Sequence, residues 1–152
     1  MELDGTDKKL LGLLQTDASM THKQLAAHLS LSITPVYERI KKLKKAGIIE
    51  AIQAKINRHK IGLGVMIICE VSVNSHTKES LDLFEKEIGK LNEVIECFHV
   101  SGKHDYMLKV VESTMDDYRN FLLNKLSKIP GVDNVNSTFV MHELPQKKYF
   151  QN

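Results

Sequence analysis

The chain has 152 residues, is 42% hydrophobic and 26% charged, and carries a formal net charge of +2. That balance supplies apolar material for one core or two small ones, and it excludes a disordered polyelectrolyte or a collagen-like polymer. The charge is unevenly spread. Residues 1–60 hold 11 Lys/Arg against 6 Asp/Glu, and residues 61–152 hold 10 against 13. A basic first part followed by a mildly acidic second part suggests two tasks.

Cys69 and Cys97 are the only cysteines. Both lie in apolar, strand-like runs without Cys-x-x-Cys spacing, so neither zinc nor a redox pair is indicated, and two buried thiols in a reducing compartment are expected. The N-terminus has no apolar stretch of signal-peptide type, and the longest apolar run, residues 65–69, is far too short to span a bilayer. A cytoplasmic chain with no membrane contact is expected.

A first helix begins around Asp4, with Asp7 in its first turn and Leu10, Leu13 and Leu14 as its buried stripe. Thr21-His22-Lys23-Gln24 is a capping box, in which the Thr and Gln side chains satisfy each other's backbone donors. It opens a short helix with Leu25, Ala26 and Leu29 inside. After a tight connection, Ser32 is placed to cap a third helix, and Pro35 falls in its first turn. Ile33, Val36, Ile40 and Leu43 follow at helical spacing, and Gly47 supplies the stop. Residues 48–54 read as a short strand, and residues 54–64 as a linker.

The rhythm then changes. Strands are expected at 65–73, 94–100, 105–111 and 132–142. A helix from Thr77 carries Leu81, Phe84, Ile88 and Leu91. A second helix, capped by Thr114 with Asp117, carries Met115, Tyr118, Leu122, Leu126 and Ile129. The order βαββαβ is the ferredoxin-like split arrangement. The fold class is therefore α+β: a winged helix-turn-helix head over 1–53, the linker over 54–64, a ferredoxin-like domain over 65–144, and a polar, loose tail over 145–152.

Three short helices, the last two joined tightly, make a minimal helix-turn-helix. Its third helix must bury one stripe and leave the opposite face for the major groove of double-stranded DNA. The candidate DNA-binding residues are Ser32, Thr34, Pro35, Glu38, Arg39, Lys41, Lys42 and Lys45. Thr34, Pro35 and Glu38 are placed deepest in the groove, and Arg39, Lys41, Lys42 and Lys45 are placed to reach phosphates. Taken alone, the lysine run is the signature of a solvated helix face; the capping box and tight turn upstream favour the DNA reading.

The run from Leu25 through Ser32-Ile33-Thr34-Pro35-Val36-Tyr37-Glu38-Arg39-Ile40 to Gly47-Ile48-Ile49 resembles the Lrp/AsnC (leucine-responsive, feast/famine) family of transcription regulators. So do Leu3-Asp4 and Asp7. Gly102-Lys103-His104-Asp105-Tyr106 resembles the family's G-x-x-D-Y turn, and Leu126 with Ile129-Pro130-Gly131-Val132 resembles its L-x-x-[LI]-P-G-V segment. The likeness covers nearly the whole chain in order. Lys44 and Met20 depart from it, standing where a carboxylate and a basic residue are usual.

The resemblance implies a RAM-type second domain that dimerises through its sheets, an octamer of four dimers, and an amino-acid effector bound between dimers. The matching positions are Ser101, Gly102, His104, Asp105 and Tyr106, with Thr138 a looser match. Asp105 has the chemistry to accept from an ammonium, and backbone amides of a Gly turn to donate to a carboxylate. The bland alternative is a hairpin turn with Asp105 as its cap and Tyr106 in the core.

No other cofactor is indicated. Among the 7 histidines, His22 and His28 lack i, i+4 spacing, and His99 and His104 lack a third ligand, so no metal site is expected. Asp116-Asp117 suits a helix N-terminus rather than acid–base chemistry. No nucleophile–base pair or phosphate loop is present to support an enzyme. The expected function is a sequence-specific, amino-acid-responsive DNA-binding transcription regulator; the alternative is a DNA-wrapping architectural protein without sequence preference or ligand response.

Overall fold

The computed structural model describes residues 2–145 and 147–150. It divides into two compact units, Met1–Lys55 with Leu144–Asn152, and Ile56–Glu143.

In the first unit, α1 (Gly5–Thr16) starts from a reciprocal cap. Asp7 N donates to Asp4 Oδ1 at 2.7 Å, and Asp4 N donates to Asp7 Oδ2 at 3.2 Å. The Thr21–Gln24 box opens α2 (His22–Leu29) as expected, and α2 ends on Ser30 in the left-handed region. Helix α3 (Ile33–Lys45) follows from Ser32, whose side chain makes no capping bond. Gly47, at φ 70°, closes it, and Ile48 N reaches Leu43 O at 3.0 Å. Leu10, Leu11, Leu25, Ala26, Val36, Ile40 and Leu43 form the core. Ile33, expected on that stripe, is 49% exposed, because it precedes the first turn that the core reaches.

Residues 48–54 form no strand. Ile48 and Ile49 instead turn back onto the helical core, half-buried, with Ile49 N also donating to Leu43 O. Their apolar character serves head packing and not a ladder. The tail also differs from a loose one. Phe150 packs against the same core, its N–H donating to Gln15 Oε1 at 3.1 Å, and Lys148 Nζ donates to Thr16 Oγ1 at 3.0 Å.

The second unit begins with a 3-10 turn, Arg58–Ile61, inside the stretch read as linker. Arg58 fixes it, with Nη1 donating to the carbonyls of Leu63 and Gly64 and Nε to Glu143 Oε2 at 3.0 Å. Then come β1 (Val65–Val73), α4 (Lys78–Ile88), β2 (Val94–His99), β3 (Tyr106–Glu112), α5 (Met115–Asn124) and β4 (Val132–Phe139). The sheet is antiparallel in the order β2-β3-β1-β4, so both βαβ halves interleave as the ferredoxin-like pattern requires. Helix α5 stops at Asn124, and a second 3-10 turn, Leu126–Lys128, carries Leu126 into the core. The expected helical stripe thus ends early, and Met115 at its start is exposed.

Alternation sorts the sheet. Ile67, Cys69, Val71, Tyr106, Leu108 and Val110 face Phe84, Ile88, Tyr118 and Phe121 in one core. Register puts Ile68, Glu70, Phe98, Met107, Lys109, Asn136 and Thr138 on the other face. Cys69 is buried, with Sγ 3.2 Å from Tyr118 Oη, which lies 2.5 Å from Ser137 Oγ. Cys97 is exposed, contrary to expectation, because β2 is an outer strand with only one hydrogen-bonded neighbour.

Candidate functional sites

On α3, burial of Val36, Ile40 and Leu43 fixes which side is free. Ser32, Thr34, Pro35, Glu38, Lys41, Lys42 and Lys45 are all exposed, and Lys44 joins them. The first two turns carry short, apolar or acidic groups, and the positive charge is concentrated in the last two. Tyr37, passed over in the sequence, is 48% exposed and meets the His22 ring edge-on at 5.5 Å. It follows Val36 directly, so an exposed position could have been read from the helical period.

Arg39 has partners within the head. Its Nη1 lies 2.7 Å from Asp4 Oδ2 and 2.6 Å from Asp7 Oδ1. The Asp7 side chain is 6% exposed, so this pair sits at the edge of the core. Hydrogen bonds from Arg39 to Asp4 and then Asp7 hold the guanidinium in its charged form. The Asp7 amide and then Arg39 hold the Asp4 carboxyl below the usual aspartate range. The charge read as phosphate-directed also joins α3 to the start of α1.

In the second unit, the predicted effector residues fall into four places. Ser101 and Gly102 are exposed on the turn between β2 and β3, with Gly102 at φ 139°. His104 and Asp105 fold back against the end of β1. His104 Nδ1 lies 3.2 Å from Ser72 Oγ, and its Nε2 is 3.6 Å from Glu70 Oε2. Asp105 Oδ2 accepts from Val73 N at 2.8 Å, and Oδ1 lies 2.6 Å from His76 Nε2. The Val73 amide and then His76 hold this carboxyl below the usual range. Ser72, His76 and Glu70 were not foreseen; they come from a loop and strand some thirty residues away, and no local pattern connects them.

Tyr106 points away from this group into the core. Its ring packs on Phe84 at 4.4 Å and stacks on His99 at 4.6 Å, and its hydroxyl donates to Glu85 Oε1 at 2.9 Å. Burial and then Glu85 push its hydroxyl pKa well above the ordinary tyrosine value. Thr138 stands exposed on β4, opposite Ile68 on the open sheet face. The turn and the β1 end are therefore brought together, while Tyr106 and Thr138 lie on opposite faces of the sheet. Among the described residues, no group of three His, Cys, Asp or Glu could hold a metal ion, and no helix is long and apolar enough to cross a membrane.

Residues 3–50 match a winged helix-turn-helix DNA-binding model, and residues 66–149 match the Lrp/AsnC ligand binding domain. The chain belongs to the Lrp/AsnC family. As a member it is a transcription regulator and not an enzyme, with a DNA-binding head and a ligand-binding domain. It is similar to the transcriptional regulator AzlB of Bacillus subtilis, 35% identical over 91% of this chain and 88% of that one. It is also similar to the leucine-responsive regulatory protein of Escherichia coli, 32% identical over 95% and 88%. Among solved structures, a Neisseria meningitidis transcriptional regulator in complex with L-methionine matches with a TM-score of 0.91 and 30% identity, over 99% of this chain and 97% of that one. An AsnC family regulator from Agrobacterium tumefaciens matches with a TM-score of 0.87 and 31% identity, over 99% and 95%.

Proposed function

We propose that this regulator reads duplex DNA with the outward face of α3 and responds to a free amino acid held at the turn of residues 101–105. The observation that carries the first part is the division of α3, in which one stripe seals the head core and the opposite one is exposed, short in side chain at the start and cationic at the end. Ser32, Thr34, Pro35 and Glu38 meet base edges; Lys41, Lys42 and Lys45 meet phosphates. Arg39 supports that helix from behind.

The effector reading rests on the likeness to the regulator solved with L-methionine. Ser101, Gly102, His104 and Asp105 surround the zwitterion, with Thr138 reaching it from the open sheet face, while Tyr106 backs the turn from inside the core. Asp105 changes partner from His76 to the ligand ammonium, and amides of the Gly102 turn take the carboxylate. The open sheet face pairs two subunits, and four dimers form an octamer that binds the effector between dimers in the cytoplasm. The ligand then alters DNA affinity to the extent that it binds one assembly more tightly than another.

A thermal-shift screen of the twenty amino acids, methionine included, tests the effector. A specific ligand at a hundred times its Kd adds about 2.7 kcal/mol to folded-state stability. Flat melting curves throughout would remove the effector. A gel-shift series against random competitor DNA tests the first part: preference for a selected duplex at fixed salt is expected, and equal affinity for every sequence would favour the architectural reading instead.

A further inference from the structure

Sequence-specific reading by a helix in the major groove depends on what its first turns carry. On α3 these groups are Ile33, Thr34, Pro35, Tyr37 and Glu38, all exposed. None is Arg, Lys, Asn or Gln. The bidentate pairings that identify guanine through O6 and N7, or adenine through N6 and N7, need those four side chains. Apart from Arg39, which is paired with Asp4 and Asp7, the cations on this helix begin at Lys41, beyond two turns from its start, where the axis has carried them away from the deepest point and toward the phosphates. Each residue of advance moves the chain by about 1.5 Å, so Lys41 and Lys45 stand roughly 12 and 18 Å along from Ile33.

What remains is apolar surface. Ile33 is 49% exposed and Tyr37 48%, so both large apolar side chains are open to a partner at the start of the helix, while Val36, Ile40 and Leu43 are buried. Tyr37 is steadied by the edge of His22, the first residue of α2. Thr34 follows about 100° around the helix from Ile33, and Pro35 about 100° further on, both exposed. The base-edge group suited to such a surface is the 5-methyl of thymine. Glu38, an acceptor only, adds a preference for the cytosine amino group and repels phosphates.

Building on the assignment of α3 as the DNA-reading face, we propose that this protein identifies its operator chiefly through thymine methyl groups, contacted by Ile33, Thr34, Pro35 and Tyr37, and not through arginine–guanine or amide–adenine pairing. Specificity then resides in an apolar patch, and salt-dependent affinity in the lysines behind it.

The test uses the full-length protein and a duplex selected from random sequence. Thymidines in each half-site are replaced one at a time by deoxyuridine, which keeps pairing and removes only the methyl. Two or three positions per half-site should each lose about fourfold in affinity, the factor for withdrawing one buried methyl-sized group. In the Thr34→Ser variant, which keeps the hydroxyl, one of those positions should become indifferent to the replacement. Circular dichroism melting confirms that the variant folds as the parent does. If the selected duplex is preferred over random DNA but tolerates deoxyuridine everywhere, the inference is overturned while DNA reading by α3 stands. Conserved guanines whose 7-deaza replacement costs tenfold would likewise overturn it. If no duplex is preferred, the α3 assignment falls and this inference falls with it.

Discussion

Arg39 offers the most direct separation of a structural from a DNA-contacting role. Its side chain bridges the exposed Asp4 and the nearly buried Asp7. Replacing it with Ala leaves the Asp7 carboxylate facing the core edge with only the Asp4 amide as a partner. A hydrogen bond between charged groups contributes about 1.5–3 kcal/mol. Arg39 keeps some solvent contact and the Asp4 arm is open to water, so only the Asp7 arm is counted, and a loss near 2 kcal/mol is expected. For a head of this size that lowers its melting point by roughly 8–16 °C. The assay pairs thermal unfolding with gel shifts across a salt series. Arg39→Ala should melt early and retain the parental salt slope. Lys41→Ala should melt normally and flatten the slope by about 0.9, the value for one phosphate. The reasoning fails if Arg39→Ala melts like the parent while its slope drops by one phosphate.

Other outcomes follow from the same geometry. Asp4 and Asp105 both have folded-state carboxyl pKa values below the ordinary aspartate value, so their stabilisation is fully present at neutral pH, begins to fade near pH 4 as the unfolded chain takes up protons, and is gone below the depressed values; an acid titration followed by circular dichroism should show this, and Asp4→Asn should blunt the acid sensitivity of the head. Asp105→Asn should weaken the hold on Val73 and His76 and reduce amino-acid binding in calorimetry without changing the salt slope for DNA; unchanged ligand affinity would exclude this carboxylate from the site. Tyr118→Phe removes the hydroxyl shared with Cys69 and Ser137 and should cost about 1 kcal/mol by denaturant titration, leaving DNA affinity unaltered. Thr21→Ala removes the α2 cap and should cost about 1 kcal/mol as well.

The sequence made the regular elements readable because caps and periodicity are local. Asp4–Asp7, Thr21–Gln24 and Thr114–Asp117 announce three helix starts within four residues each, and all three boxes form. The alternation of Tyr106, Leu108 and Val110 gives the inward face of β3 directly. Polar partnerships were not readable, since they join distant elements. The period places Arg39 at the flank of α3 but says nothing of Asp4 and Asp7, more than thirty positions earlier. In the same way, Asp105 reads as a turn residue until the fold brings Val73 and His76 to it. Ile48 and Ile49 misled for a further reason: a short run of β-branched residues suits a strand, yet here a helical core beside the Gly47 turn receives it.

The return of Phe150 to the flank of α1 has a practical consequence for dissecting this regulator. The head draws on both extremities of the polypeptide, so a single cut after Lys55 would release a fragment stripped of one of its apolar neighbours. A fragment intended to reproduce the head's native melting behaviour must rejoin the two stretches, for instance by a short splice carrying Lys148 and Phe150 back to Thr16 and Gln15.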